Sequence, residues 1–160
     1  MSKKTPKTEK RVTEKRVPRA AEAAKGERIR IAEDPDSFMT MTPAWAFSIC
    51  DREHERWSIS KCPDIYETII KKLGAFEGMT WAEIMGQSGG RAHGTNHHFE
   101  NVGELKKEAQ KRLQELRQED LDQVFSLRLS GKERLYGILN DRVLRIIWYD
   151  PNHEIYPMSK

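Results

Sequence analysis

Six residues near the C-terminus combine positive charge with proton-transfer chemistry at strand-like spacing. Arg128, Lys132, Arg134, Tyr136, Arg145 and His153 all lie within "VFSLRLSGKERLYGILNDRVLRIIWYDPNHE". Guanidinium and ammonium groups gathered on one surface bind backbone phosphates. They can also stabilise the extra charge of an in-line attack by a ribose 2′-hydroxyl on the adjacent phosphate. Tyr136, His153 or Lys132 would then move the protons. The plainer account is a half-exposed sheet whose outer face is charged, as most are. A second group sits in "GQSGGRAHGTNHHFEN", where Arg91, His93, His97 and His98 could supply an acid and a base. Here the plainer account is an exposed loop with incidental histidines. Cys50 and Cys62 are too far apart for a zinc knuckle, and there is no Cys-x-x-Cys pair. No metal or cofactor is expected. "GQSGGRAHG" also lacks the Lys and following Ser or Thr of a phosphate loop.

The charge is unevenly placed. Residues 1–30 hold eleven Lys or Arg and four Glu, whereas the other 130 residues carry a net charge of −4. Between residues 124 and 149 the sign reverses again, with five basic residues against Glu133 and Asp141. Residues 1–28 have almost no large apolar side chains. They cannot offset their ordering entropy, so they read as a disordered basic arm. Lys10, Arg11, Lys15 and Arg16 in that arm, with Arg91 and His97 in the body, are candidate nucleic-acid contacts. The alternative for the arm is a solubilising tail or linker. No apolar run is long enough to span a membrane, and the N-terminus has no signal-peptide core. A cytoplasmic protein is the simplest expectation.

The elements that must position these residues follow from periodicity. Trp45, Phe47 and Ile49 alternate with small residues as a strand, and "WSIS" is its candidate partner. "CPDIYETIIKKLGAF" reads as a helix with Pro63 in its first turn and Gly74 as its stop. "TWAEIM" begins with Thr80 and Glu83 at capping-box spacing. A longer helix starts at Asn101, with Leu105, Ala109, Leu113 and Leu116 along one stripe. The last third turns to period two. Phe125, Leu127 and Leu129 oppose Ser126 and Arg128, and Arg134 shares a face with Tyr136. Leu144, Ile146 and Trp148 oppose Val143, Arg145, Ile147 and Tyr149, after a tight turn at Asn140–Asp141. The expected fold is α+β, with helices packed on a small antiparallel sheet in a single domain over residues 29–160.

One strand, a helical region and a basic three-stranded meander together resemble the RelE/ParE/HigB superfamily of bacterial toxins. The resemblance covers about residues 44–156 as element order. It is carried most by "RLYGILNDRVLRIIWY", a basic strand, a short turn and an apolar strand. It implies a RelE-like sheet and an mRNA endoribonuclease, free or ribosome-dependent, metal-independent if catalytic. It also implies RNA or the ribosome as partner and a cognate antitoxin protein. In the RNase members, Arg and Lys on the sheet act with a Tyr or His near the C-terminus. The matching positions are Arg128, Lys132, Arg134, Arg145 and either Tyr149 or His153. The long helical region, the Gly/His loop and the basic arm depart from that pattern. A non-catalytic accessory or inhibitor protein of bacterial or phage origin, binding nucleic acid or another protein, stays open beside it.

Overall fold

The computed structural model describes residues 37–88 and 96–157. The basic arm lies outside them. So do Lys10, Arg11, Lys15, Arg16, Arg91 and His93. Five strands form one sheet: β1 (Ala44–Ala46), β2 (His98–Asn101), β3 (Gln123–Ser130), β4 (Glu133–Asn140) and β5 (Val143–Asp150). Their order across the sheet is β1-β5-β4-β3-β2. The meander β3–β4–β5 is antiparallel, as its alternation predicts, and Asp141 takes φ 50° in the β4–β5 turn. β1 runs parallel to β5, so the sheet is mixed and not purely antiparallel.

The helices pack on both faces. Helix α1 (Lys71–Phe76) continues a π-helical turn over Tyr66–Ile70, and α2 (Trp81–Met85) follows with its Thr80–Glu83 capping box formed. Ile69, Leu73, Phe76, Trp81 and Ile84 pack against Phe125, Leu127, Leu135, Leu144 and Ile146 on one face of the sheet. On the other face α3 (Lys107–Glu115) lays Ala109 and Leu113 on Val124, Tyr136, Ile147 and Trp148. The period-3.6 stripe of α3 thus meets the period-2 rows of the strands, and each excludes water from the other.

Several sequence expectations are corrected. Gly74 lies inside α1 rather than ending it. "WSIS" forms no strand; Ile59–Lys61 is a 3-10 turn capped by Ser58. β1 stops at Ala46, and Phe47 is exposed. The helix expected from Asn101 begins at Lys107, because Asn101 ends β2 and makes no side-chain cap. The faces of β5 also differ. A bulge inserts Ile147 between the pairs Gly137↔Ile146 and Tyr136↔Trp148. Ile147 and Trp148 consequently both point toward α3, while Tyr149 turns to the α1/α2 face. Gly137 is required there, since a Cβ would collide with the Arg145 carbonyl. Among the described residues no helix is long and apolar enough to cross a membrane.

The α3 layer is fastened by Asp51, which is 1% exposed. Its carboxylate accepts Arg112 Nε and Nη2, each at 2.7 Å, and Trp148 Nε1 at 3.0 Å. The backbone N–H groups of Glu53 and His54 donate to the same carboxylate at 3.1 and 3.2 Å. Burial alone would raise the Asp51 carboxyl. The hydrogen bonds from Arg112 and Trp148 reverse that and hold it well below the usual carboxylate range. Asp51→Ala strands the Arg112 guanidinium and the Trp148 indole N–H. It is expected to cost about 3–5 kcal/mol in urea unfolding, the range for breaking one side of a buried pair. A loss below about 1 kcal/mol would show that the carboxylate does not organise this layer.

Candidate functional site

α3 covers only part of its face of the sheet. Toward the β3–β4 turn that face carries two cross-strand rows, the first of which, through Tyr136 and Trp148, still belongs to the core under α3. His98, Ser126, Tyr136 and Trp148 are in register across β2, β3, β4 and β5. The next row is Arg128, Arg134 and Asp150. The bulge at Ile147 is what aims Asp150 at this face, because it shifts every later residue of β5 by one. Glu100 joins from β2, two residues beyond His98, and lies opposite Val124.

Arg128 and Arg134 face each other directly across β3 and β4. Like charges in that position are destabilising. Among the described residues neither forms an ion pair. Arg128 Nη1 donates to Asn96 Oδ1 at 3.0 Å, and Arg134 Nη1 donates to the carbonyls of Gly131 and Glu133 at 2.9 and 3.0 Å. Burial, and next the neighbouring Arg128, push Arg134 below the ordinary guanidinium value. Asp150 is fully buried, and its carboxylate accepts the backbone N–H groups of Asn152 and Ile155 at 3.2 and 2.8 Å. That turn holds His153 at φ 58°, an uncommon conformation that histidine tolerates better than most residues. Burial, then Arg134, lowers the His153 imidazole below its ordinary value, so it is neutral at pH 7. His98 Nε2 pairs with Glu100 Oε1 at 2.5 Å, and Glu100 is itself buried.

The hydroxyls of Ser126 and Tyr136 complete the surface. They are 1% and 0% exposed and oppose each other across β3–β4, where the Ser126 hydroxyl is the hydrogen-bonding neighbour of the Tyr136 phenol. Burial first of all pushes the Tyr136 phenol well up, so it stays protonated.

The structure therefore gathers Arg128, Arg134, Tyr136 and His153 from the sequence-predicted set. It does not gather the rest. Lys132 is exposed in the β3–β4 turn. Arg145 pairs with Ile138, four residues along β4 from Arg134 and so roughly 13 Å away along the strand. Tyr149 is on the opposite face, donating its hydroxyl to Glu133 Oε1 at 2.7 Å. His97 is buried rather than presented to a ligand. Its Nε2 meets Gln87 Oε1 at 2.9 Å and its Nδ1 accepts the Arg128 N–H at 3.0 Å, which occupies both ring nitrogens. Glu100, Ser126 and Asp150 belong to the site and were not singled out by sequence. "NHHFEN" does carry a period-two signal: His97 and Phe99 pack toward Phe76 and Phe125, and His98 and Glu100 fall on the other side. Cys50 and Cys62 are free thiols, and among the described residues no three His, Cys, Asp or Glu side chains are grouped to hold a metal ion.

Comparison with protein-family models, with curated proteins and with solved structures gives no match to this chain. The reading of the site thus rests on its geometry.

His97 gives this region a pH signature. Burial first, then Lys72, Arg134, His98 and Arg128, lower its pKa from 6.5 to about 4. The unfolded chain takes up this proton at higher pH than the folded one, so the contribution is lost as pH falls from 6.5 toward 4. Urea midpoints over that range are expected to fall less steeply in His97→Gln than in the parent, by up to one proton's worth of slope. Equal slopes would show that His97 does not titrate with folding.

Proposed function

We propose that the chain is a toxin-like RNA-binding protein that holds a phosphodiester on the Arg128–Arg134 face and cleaves it. The observation carrying this reading is the arginine pair directly opposed across β3 and β4, which forms no ion pair among the described residues and has in its row only the Asp150 carboxylate, already bonded to backbone N–H groups. Such a pair is costly alone and relieved by an anion between the two groups. The neighbouring groups suit internal transesterification. The ribose 2′-oxygen attacks phosphorus and its proton passes to neutral His153. The bond from phosphorus to the 5′-oxygen breaks, and that oxygen takes a proton from the His98 imidazole, which is paired with Glu100. The products are a 2′,3′-cyclic phosphate and a 5′-hydroxyl. The arginines bear the added charge of the transition state. A RelE-like arrangement, a ribosomal setting and a cognate antitoxin are the parts of this proposal that come from the meander's resemblance. A non-catalytic RNA-binding role uses the same arginines without the proton transfers.

The test uses the full chain and a single-stranded RNA. Arg134→Ala is expected to weaken binding and to reduce the slope of log affinity against log salt by about 0.7, the value for one lost phosphate contact. A single 2′-deoxy substitution should block cleavage at that position while leaving binding intact. Unchanged affinity in Arg128→Ala and Arg134→Ala would sink the RNA assignment. Binding without cyclic-phosphate products would leave a binding module.

A further inference from the structure

β1 is the last strand on its side of the sheet, and among the described residues no strand pairs with its outer edge. The Ala44 N–H donates to the Arg142 carbonyl at 2.9 Å, so Ala44 and Ala46 turn their backbone groups toward β5. In a parallel ladder the residue between them points its N–H and C=O the other way. Trp45 therefore presents one donor and one acceptor off the sheet. An apolar groove of about 570 Å³ runs beside that edge. Trp45 and Phe47 wall it on the strand side, and Ile65, Ile70, Gly74 and Glu77 on the helix side. Phe47, Ile65 and Ile70 are exposed there. The helix-side wall includes the π turn over Tyr66–Ile70, a distortion frequent at functional sites.

Gly74 separates this groove from incidental apolar exposure. It lies within α1, where glycine costs about 0.5–1 kcal/mol relative to alanine. The fold does not require it there: its φ is not positive, and a Cβ would meet nothing within 4 Å. The effect of the missing side chain is to leave the groove open to an approaching backbone. Glu77, just past the end of α1, is the one charged residue of the lining. It is exposed and forms no ion pair among the described residues.

We propose that the β1 edge is a docking site for an extended peptide segment of another protein, apolar at alternate residues and carrying a basic side chain at the Glu77 end. The segment adds a strand outside β1. Its backbone answers the Trp45 N–H and C=O, its apolar side chains enter the groove, and its cation meets Glu77. A compact apolar ligand would leave both Trp45 groups and the Glu77 charge unanswered. The groove is on the α1 side of the sheet, opposite the face of Arg128 and Arg134, so the inference is independent of the RNA reading.

The probe is a capped peptide of about six residues that alternates isoleucine with lysine, titrated into the full chain. At saturation it should slow hydrogen exchange of the Trp45 amide about tenfold or more. Methylating the peptide's backbone nitrogens should abolish binding. Glutamate in place of lysine should weaken it about two- to fivefold, and Glu77→Gln should remove that preference. Gly74→Leu fills the groove. It should lower affinity about tenfold or more while melting at the parent temperature or above it. No slowing at Trp45 with about 1 mM peptide would overturn the docking site. So would undiminished binding of the N-methylated peptide, or undiminished binding by Gly74→Leu. Equal affinity of the parent for the lysine and glutamate peptides would overturn the assignment of a basic partner to Glu77. Self-association of the parent that Gly74→Leu abolishes would put a second copy in the groove and overturn the peptide assignment.

Discussion

The buried carboxylate of Asp51 is the interaction on which the arrangement of this molecule turns. Removing a charge from water is unfavourable by several kcal/mol unless hydrogen bonds replace the hydration. Asp51 receives five: two from Arg112, one from Trp148 and two from the backbone of its own turn. Those donors come from three places: the turn after β1, helix α3 and the bulged part of β5. Among the described residues no other carboxylate accepts from all three. The turn in its course presents His54, which stacks on Trp57 at 4.2 Å, and the Trp57 ring then packs edge-on against Trp148 at 5.6 Å. Fixing α3 against Trp148 also fixes where α3 stops covering the sheet.

That boundary creates the site. Val124, Ile138, Ile147 and Trp148 lie under α3 and its flanking residues as ordinary core. One or two strand steps toward the β3–β4 turn, the same face holds Ser126, Arg128, Arg134 and Asp150 instead. The α1/α2 face shows no such change, because Phe125, Leu127, Leu129 and Leu135 are apolar throughout. The bulge at Ile147 serves both halves at once. It brings Trp148 to Asp51, and it brings Asp150 into the row of Arg128 and Arg134. Without it, strict alternation would turn Tyr149 toward the α3 layer and Asp150 into the apolar core.

Much of this frame is legible in the sequence. The alternation of β3 and β4, the Asn140–Asp141 turn, the Thr80–Glu83 cap and the α3 stripe all follow from local periodicity and turn chemistry, and the structure has them. What fails has physical reasons. β2 has four residues in a Gly- and His-rich stretch, too short for alternation to stand out against loop composition. β1 is parallel to β5, a long-range choice that no local signal encodes. The bulge reverses the faces of Trp148 and Tyr149, and its one sequence trace is Gly137, an isolated glycine within a strand pattern. The reading of Arg128, Arg134 and Tyr136 as one surface survives because all three precede the bulge. Arg145 is on that same face but at its far end, and face alone does not bring residues together.

The same face departs from what folding alone would select. A chain under pressure only for stability would place a neutral or acidic side chain opposite Arg134 on β3, as Asp150 stands opposite it on β5. Instead the sheet keeps two opposed guanidinium groups on β3 and β4 and a histidine at positive φ within a few strand steps. Unfavourable local choices that cluster in this way, on a scaffold otherwise consistent from caps to core, fit the proposal that a ligand supplies the missing partners. An anion would answer the arginine pair, whereas a cation or an apolar ligand would leave it unrelieved. The clustering thus bears on the sign and hydrogen-bonding character of the ligand before any question of catalysis arises.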